Sequence, residues 1–212
     1  MDCLRRAEQD SRAWEEALPS LESSQLTVLS FSSTTAQGLE EPYQYDGQTI
    51  YSGEFEFTQK THPFDSSIER SITGEFSYRT ESGLFIIRTQ TDNPTPSEII
   101  DRFNSALPDG VRIFPGLQPS NEGLWKFIKS AEERVSVTLL AEGEETDVAE
   151  LDGPIRADNL DDYLVTRAEL IFNRGTSKID VIYSYDSISI LGPDEDDYEY
   201  VIQVFENEVV SE

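Results

Sequence analysis

Enzymatic chemistry needs an activated side chain with a base or a metal in reach, and this sequence is sparing with both. His62 is the only imidazole in the 212 residues. Pro63 follows it directly in a turn-like His62-Pro63-Phe64-Asp65, and no second histidine is present to share a metal. Cys3 is the only thiol and lies near the terminus without a neighbouring histidine, so neither a reactive thiolate nor an internal disulfide is expected. A serine nucleophile would need a Gly-x-Ser-x-Gly turn, and there is none. Phosphate cradles are missing too: no Gly-x-Gly-x-x-Gly occurs, and no lysine follows the Gly-Lys-Ser/Thr pattern.

Carboxylates are abundant, with clusters at Glu142 to Asp147, Asp158 to Asp162 and Asp194 to Asp197. Such oxygen ligands suit Ca²⁺ or Mg²⁺. The last cluster fails the spacing of a calcium loop. With Asp194 and Asp196 as positions one and three, Tyr198 takes the fifth and Phe205 the twelfth. A chain with 42 Asp and Glu produces clusters by chance, so no metal or cofactor is expected from any of them. Glycosidase-type carboxylate pairs meet only in space and cannot be picked from a sequence. Arg79, Arg88, Arg102 and Arg112 recur around one hairpin and helix, a set able to line a small anionic site. Pairing with the many acids, or plain solvation, is the simpler expectation.

The charge itself is the strongest global signal: 16 − 42 gives −26. At low ionic strength these carboxylates repel one another, whereas molar salt screens them within a few ångströms. Such a surface suits the interior of an extreme halophile. The rival reading is an acidic mimic of DNA, but the charge runs from Glu8 to Glu212 and is not concentrated. Direct nucleic-acid binding requires clustered Lys and Arg and is not expected. The start of the chain lacks an apolar signal core, and no window approaches about 18 consecutive apolar residues. A cytoplasmic protein with no membrane contact is the expectation.

The elements that would position any site read as α+β. Asp2 to Leu18 has helical spacing, with Leu4, Ala7, Ser11, Trp14 and Leu18 along one side and Pro19 ending it. Leu4, Trp14 and Leu18 are therefore candidates for docking a partner, against the alternative that the helix packs on its own sheet. Ser20 to Ser24 is a connector. Gln25 to Phe31 alternates as a strand, and Thr34 to Gly47 reads as loop with Tyr43 and Tyr45 at the surface. In Thr49 to Thr58, Glu54 and Glu56 alternate with Phe55 and Phe57, the pattern of a strand with one wet face.

The clearest stretch runs from Gly74 to Phe114. Gly74 to Arg79 and Leu84 to Thr89 are strands around the turn Thr80 to Gly83, the second apolar enough to be buried on both faces. Thr95-Pro96-Ser97-Glu98 is a capping box opening a helix with Ile99, Ile100, Phe103 and Leu107 on one face. Pro108-Asp109-Gly110 stops it before an expected strand Val111 to Phe114.

Pro115 to Pro119 is the candidate boundary. Beyond it, Ser120 caps a helix to Ala131, and Arg134 to Leu140 is a strand followed by an acidic turn, Gly143 to Glu150, that returns as a short second strand. Ala157 to Asp162 is a polar break. Tyr163 to Phe172 and Lys178 to Tyr185 form a hairpin about Asn173 to Thr176, and Ile188 to Leu191 adds a strand. Tyr198 to Val209 fits both a helix and an alternating strand. The acidic start at Asp194 decides for helix.

This gives mainly antiparallel sheet with helices packed on one face. A strand, turn, strand, cap and helix at Gly74 to Leu107 is echoed at Ile179 to Val209, as two related ββα-containing halves would be. The expected division is 1–24 for the terminal helix and connector, 25–114 and 120–212 for two α+β subdomains, or one continuous domain. With no catalytic constellation, the functional expectation is a non-enzymatic interaction module that binds another protein or itself through a sheet face, a strand edge or the N-terminal helix. The alternatives are a DNA-mimicking inhibitor and a carboxylate-metal enzyme.

Overall fold

Phenylalanine alternating with glutamate builds the longest strand: Phe55 and Phe57 are buried, while Glu54 points to solvent. In the computed structural model the described residues are 2–8, 11–23, 25–39, 42–61, 68–91, 94–141, 143–150 and 163–211. They divide into two units, one comprising residues 2–36 with 47–117 and the other 37–46 with 118–212. The chain changes unit after Ala36, after Asp46 and, within the Pro115 to Pro119 stretch, after Leu117.

The first unit runs β1 (Asp2–Arg6), α1 (Ser11–Ala17), β2 (Leu26–Val28), β3 (Ser32–Thr35), β4 (Thr49–Thr61), β5 (Ile68–Arg79), β6 (Leu84–Thr89) and α2 (Pro96–Ala106). Its sheet is antiparallel in the order β2-β4-β5-β6-β1, and β3 pairs with β4 further along the same side as β2. Phe55, Phe76 and Phe85 meet Phe103 of α2 with ring centroids 5.4, 5.7 and 5.6 Å away. Trp14 of α1 lies 4.5 Å from Tyr78 and 5.7 Å from Phe85, so both helices cover the same aromatic face. Register pairs Phe55 with Gly74 and Gly53 with Phe76, so each ring lies over a glycine on the neighbouring strand. That close approach needs the missing Cβ. The capping box of α2 is formed in full: Glu98 N–H donates to Thr95 Oγ1 at 3.4 Å, and Thr95 N–H donates to Glu98 Oε2 at 2.8 Å. Leu84, Phe85, Ile86 and Ile87 are all buried, as their unbroken apolar run implies.

Three local expectations are corrected. The N-terminal segment is not one helix: Asp2–Arg6 is a strand, and only Ser11–Ala17, followed by a 3-10 turn at Leu18–Ser20, is helical. Cys3 sits beside Ile87 and Leu4 beside Ile86, so both faces of this short strand bury apolar atoms against β6. The pairing also satisfies the backbone of β6, a tertiary demand that helical spacing does not register. Val111 to Phe114 is not a strand; Ile113 makes one isolated bridge to Ala7. Its other backbone bonds go to a side chain, with Ile113 N–H donating to Asn104 Oδ1 and Asn104 Nδ2 donating to Ile113 O, both at 2.8 Å. Tyr43 is buried rather than superficial.

The second unit runs α3 (Asn121–Ser130), β7 (Glu133–Ala141), β8 (Glu144–Asp147), β9 (Leu164–Arg174), β10 (Ser177–Ser184), β11 (Ser187–Leu191) and α4 (Glu195–Phe205), which continues as a π-helical turn Glu206–Val210. The sheet order is β8-β7-β9-β10-β11, again antiparallel. Phe127 of α3 packs 5.3 Å from Phe172 and 5.2 Å from Phe205 of α4, and Tyr183 lies 6.3 Å from Phe205. Both helices thus share one face. The acidic start at Asp194 is a working cap, its Oδ1 accepting from Asp197 N–H at 2.8 Å. Each unit contains a three-stranded antiparallel meander followed by a helix, β4-β5-β6-α2 in one and β9-β10-β11-α4 in the other. The protein is α+β, dominated by antiparallel sheet.

Candidate interaction edge

The residues singled out by chemistry scatter in space. Leu4, Trp14 and Leu18 are each 0 % exposed, and Trp14 and Leu18 belong to the first unit's aromatic core. Trp14 Nε1 donates to Glu8 O at 2.7 Å, so even its polar atom turns inward. Cys3 is buried. His62 and Asp158 to Asp162 lie outside the described residues. Arg88 pairs with Asp2 at 2.9 Å and Glu75 at 3.2 Å, Arg79 is buried, and Arg112 rests 5.8 Å over the Phe114 ring. Arg88, Arg79 and Arg112 thus have separate surroundings and do not line one anionic site. Among the described residues no three His, Cys, Asp or Glu side chains are grouped to hold a metal.

The Asp194 to Asp197 cluster works as a helix start. Arg174 reaches Asp196 at 3.2 Å, the fully buried Asp197 at 3.5 Å and Asp194 at 3.9 Å. Desolvation opposes the guanidinium's charge, but the bond and charge of Asp196, joined by Asp197 and Asp194, outweigh it and raise its pKa. Arg174 thus supplies the positive charge next to this acidic helix start.

Residues 37–39 and 42–45 are held along α4 and its π-helical continuation by a ladder of side chains about one turn apart. Gln203 Nε2 donates to Gln37 O at 2.8 Å, and Leu39 N–H donates to Gln203 Oε1 at 2.9 Å. Tyr43 OH donates to the buried Glu206 Oε2 at 2.6 Å. Asn207 accepts from Gln44 N–H at 3.0 Å and donates to Pro42 O at 2.9 Å. The π-helical turn keeps the ladder going by placing Ser211 Oγ 3.0 Å from Tyr45 OH. Beside it is an open cleft of about 330 Å³ lined by Tyr43, Ser130, Tyr200, Gln203, Asn207 and Glu208. Its amide groups are engaged by the loop backbone, so they fasten the loop rather than present themselves to a ligand.

The strand edges differ sharply in how they are closed. At β2, the connector covers the free side: Val28 N–H donates to Leu21 O at 3.1 Å, and Glu22 bridges Thr27. At β8 the sequence Glu144-Glu145-Thr146-Asp147 guards the edge with carboxylates. At β3 neither device is used. Ser32, Ser33, Thr34 and Thr35 are all exposed, and β4 is the only strand paired with them among the described residues. Ser30 N–H and Ala36 N–H both point to β4, donating to Glu54 O and Gln48 O. By strand alternation the amides of Phe31, Ser33 and Thr35 face away from the sheet. This edge lies within Ser23 to Leu39, 17 consecutive residues without a charge and the longest such run in the chain.

The sequence carried a signal for this site in that uncharged run. What it did not carry was the pairing of Ser32 to Thr35 with Thr49 to Ser52, which corrects the expected loop Thr34 to Gly47 by placing Thr34 and Thr35 in a strand with an open edge. Comparison of the chain with models of known protein families and with curated protein sequences returns no match.

Proposed function

We propose that this chain is a non-enzymatic protein-interaction module, suited to the salt-rich cytoplasm of a halophile, that accepts a protein strand on the open edge of β3. The observation that carries the reading is that edge: backbone amides of Ser33 and Thr35 directed outward, with side chains exposed and no carboxylate on the strand. Strand addition draws affinity from main-chain hydrogen bonds, and an extended neutral edge offers them without repulsion. The net charge of −26 supports a high-salt setting, where screening shortens the reach of the surrounding carboxylates to about 3 Å at 1 M. No described helix is long and apolar enough to cross a membrane.

The test is recovery of the tagged chain from its source cells in molar KCl, wild type beside Ser33→Pro, with the stoichiometric companions identified. Proline removes an outward N–H and leaves the inward ladder to β4 intact. A companion held through high salt by the wild type and lost from the variant is the expected result. A companion equally bound by both refutes the edge. Release of a basic nucleic-acid-binding protein as salt rises points instead to an acidic mimic.

A further inference from the structure

Building on this edge reading, we infer that the strand added to β3 is the β3 of a second copy, giving a twofold antiparallel dimer centred on Ser33. Two copies carrying −26 each approach most easily where neither bears a carboxylate, and the uncharged run from Ser23 to Leu39 brings such a surface to a strand edge. The acidic edge of β8, by contrast, repels its own copy.

Register follows from the amide directions. Because Phe31, Ser33 and Thr35 present their amides outward, a self-pairing must place odd residues opposite odd residues. Centring on Ser33 sets Ser33 against Ser33, Phe31 against Thr35 and Ser32 against Thr34. This register uses all three outward-facing residues and forms about six backbone hydrogen bonds. Ser32 and Thr34 then stand opposite each other as the closer, non-hydrogen-bonded pairs, while the Ser32 hydroxyl stays with Ser52 of β4, 3.1 Å from its Oγ. A contact this short is below the size of a permanent interface, so the dimer is a reversible one that depends on salt to quiet the flanking charge.

The experiment is sedimentation velocity of the purified chain from about 0.2 to about 3 M KCl, for wild type, Ser33→Pro and Ser33→Cys. The dimer fraction of the wild type is expected to rise with salt, opposite to a contact between unlike charges. Ser33→Pro should stay monomeric with its melting temperature close to wild type. Under mild oxidant, Ser33→Cys should give a reducible covalent dimer, because facing residues in a hydrogen-bonded pair lie about 5.5 Å apart at Cα, within the span of a disulfide. The remaining thiol, Cys3, is buried. If Ser33→Pro unfolds, the Ser33→Cys cross-link decides alone, since it leaves the backbone untouched.

A wild type that is monomeric across the whole salt range overturns self-pairing. The edge reading then stands or falls on whether Ser33→Pro loses its companion in source cells. A dimer that Ser33→Pro does not weaken and Ser33→Cys does not cross-link places the contact elsewhere and overturns the edge for self-association. A dimer that dissociates as salt rises overturns the neutral contact.

Discussion

Replacing Gly74 with alanine tests the packing that holds the first unit's sheet to its helices. A Cβ at this position would stand 2.4 Å from Phe55 Cζ, 2.8 Å from Phe55 Cε1 and 2.9 Å from the backbone oxygen of Arg88. The oxygen belongs to the β5–β6 ladder and cannot retreat without breaking it, so the ring must move by about 1 Å to restore van der Waals contact. Phe55 is fully buried and stands edge-on to Phe103 at 5.4 Å, so its displacement is passed to α2. Overpacking of this kind costs about 1–3 kcal/mol, offset by about 0.5–1 kcal/mol from replacing a glycine inside a strand. The net is a loss of about 0–2.5 kcal/mol, and its centre near about 1 kcal/mol corresponds to about 2–4 °C in melting temperature for a chain of this size. Thermal unfolding followed by near-ultraviolet circular dichroism, at one fixed molar KCl concentration, reads it directly. In a Phe55→Ala background, itself costing about 3–5 kcal/mol, the ring clash is gone and most of the penalty of Gly74→Ala should vanish. A melting temperature at or above wild type for Gly74→Ala, or the same loss in both backgrounds, would refute the proposed seating of the ring.

Other expectations follow from the remaining contacts. Tyr43→Phe deletes the hydrogen bond donated to the buried Glu206 and should cost about 1–3 kcal/mol, with faster amide hydrogen exchange at Leu39 and Gln44 as the local readout. Thr95→Ala removes the capping-box hydroxyl and should cost about 0.5–2 kcal/mol by chemical denaturation, while Thr95→Ser keeps most of the stability. Burial, and then the charge of Asp186, hold the Tyr183 phenol well above its ordinary value near 10. Because the folded-state value is the raised one, the associated stability is complete below about pH 10 and drains away as pH rises above it. Tyr183→Phe should therefore unfold at higher pH than wild type in an alkaline titration, and an unchanged midpoint would show that burial of this phenol does not limit alkaline stability.

Local chemistry made several elements legible from the residues alone. The capping box at Thr95 and the serine cap at Ser120 mark helix starts because their side chains satisfy backbone groups three residues away, and both form as expected. Phe55 and Phe57 between glutamates declare a strand with one buried face, and Leu84 to Ile87 a strand buried on two. The charge of −26 is likewise a property of composition alone. Distant partners decided the rest. Leu4 and Trp14 share helical spacing, yet Leu4 lies in a strand because β6 needs a neighbour, and both are core residues instead of a docking stripe. Ile113 loses its expected strand because Asn104 supplies both backbone bonds from a helix. Tyr43 goes inside because Glu206, 163 residues away, accepts its hydrogen bond. Ser32 to Thr35 become an open edge only when β4 takes their inward amides and leaves the outward ones unpaired by any strand among the described residues. Periodicity and caps are local and survive in one dimension, whereas which backbone groups find partners in the fold, and which stay on an open edge, is settled only when remote segments meet.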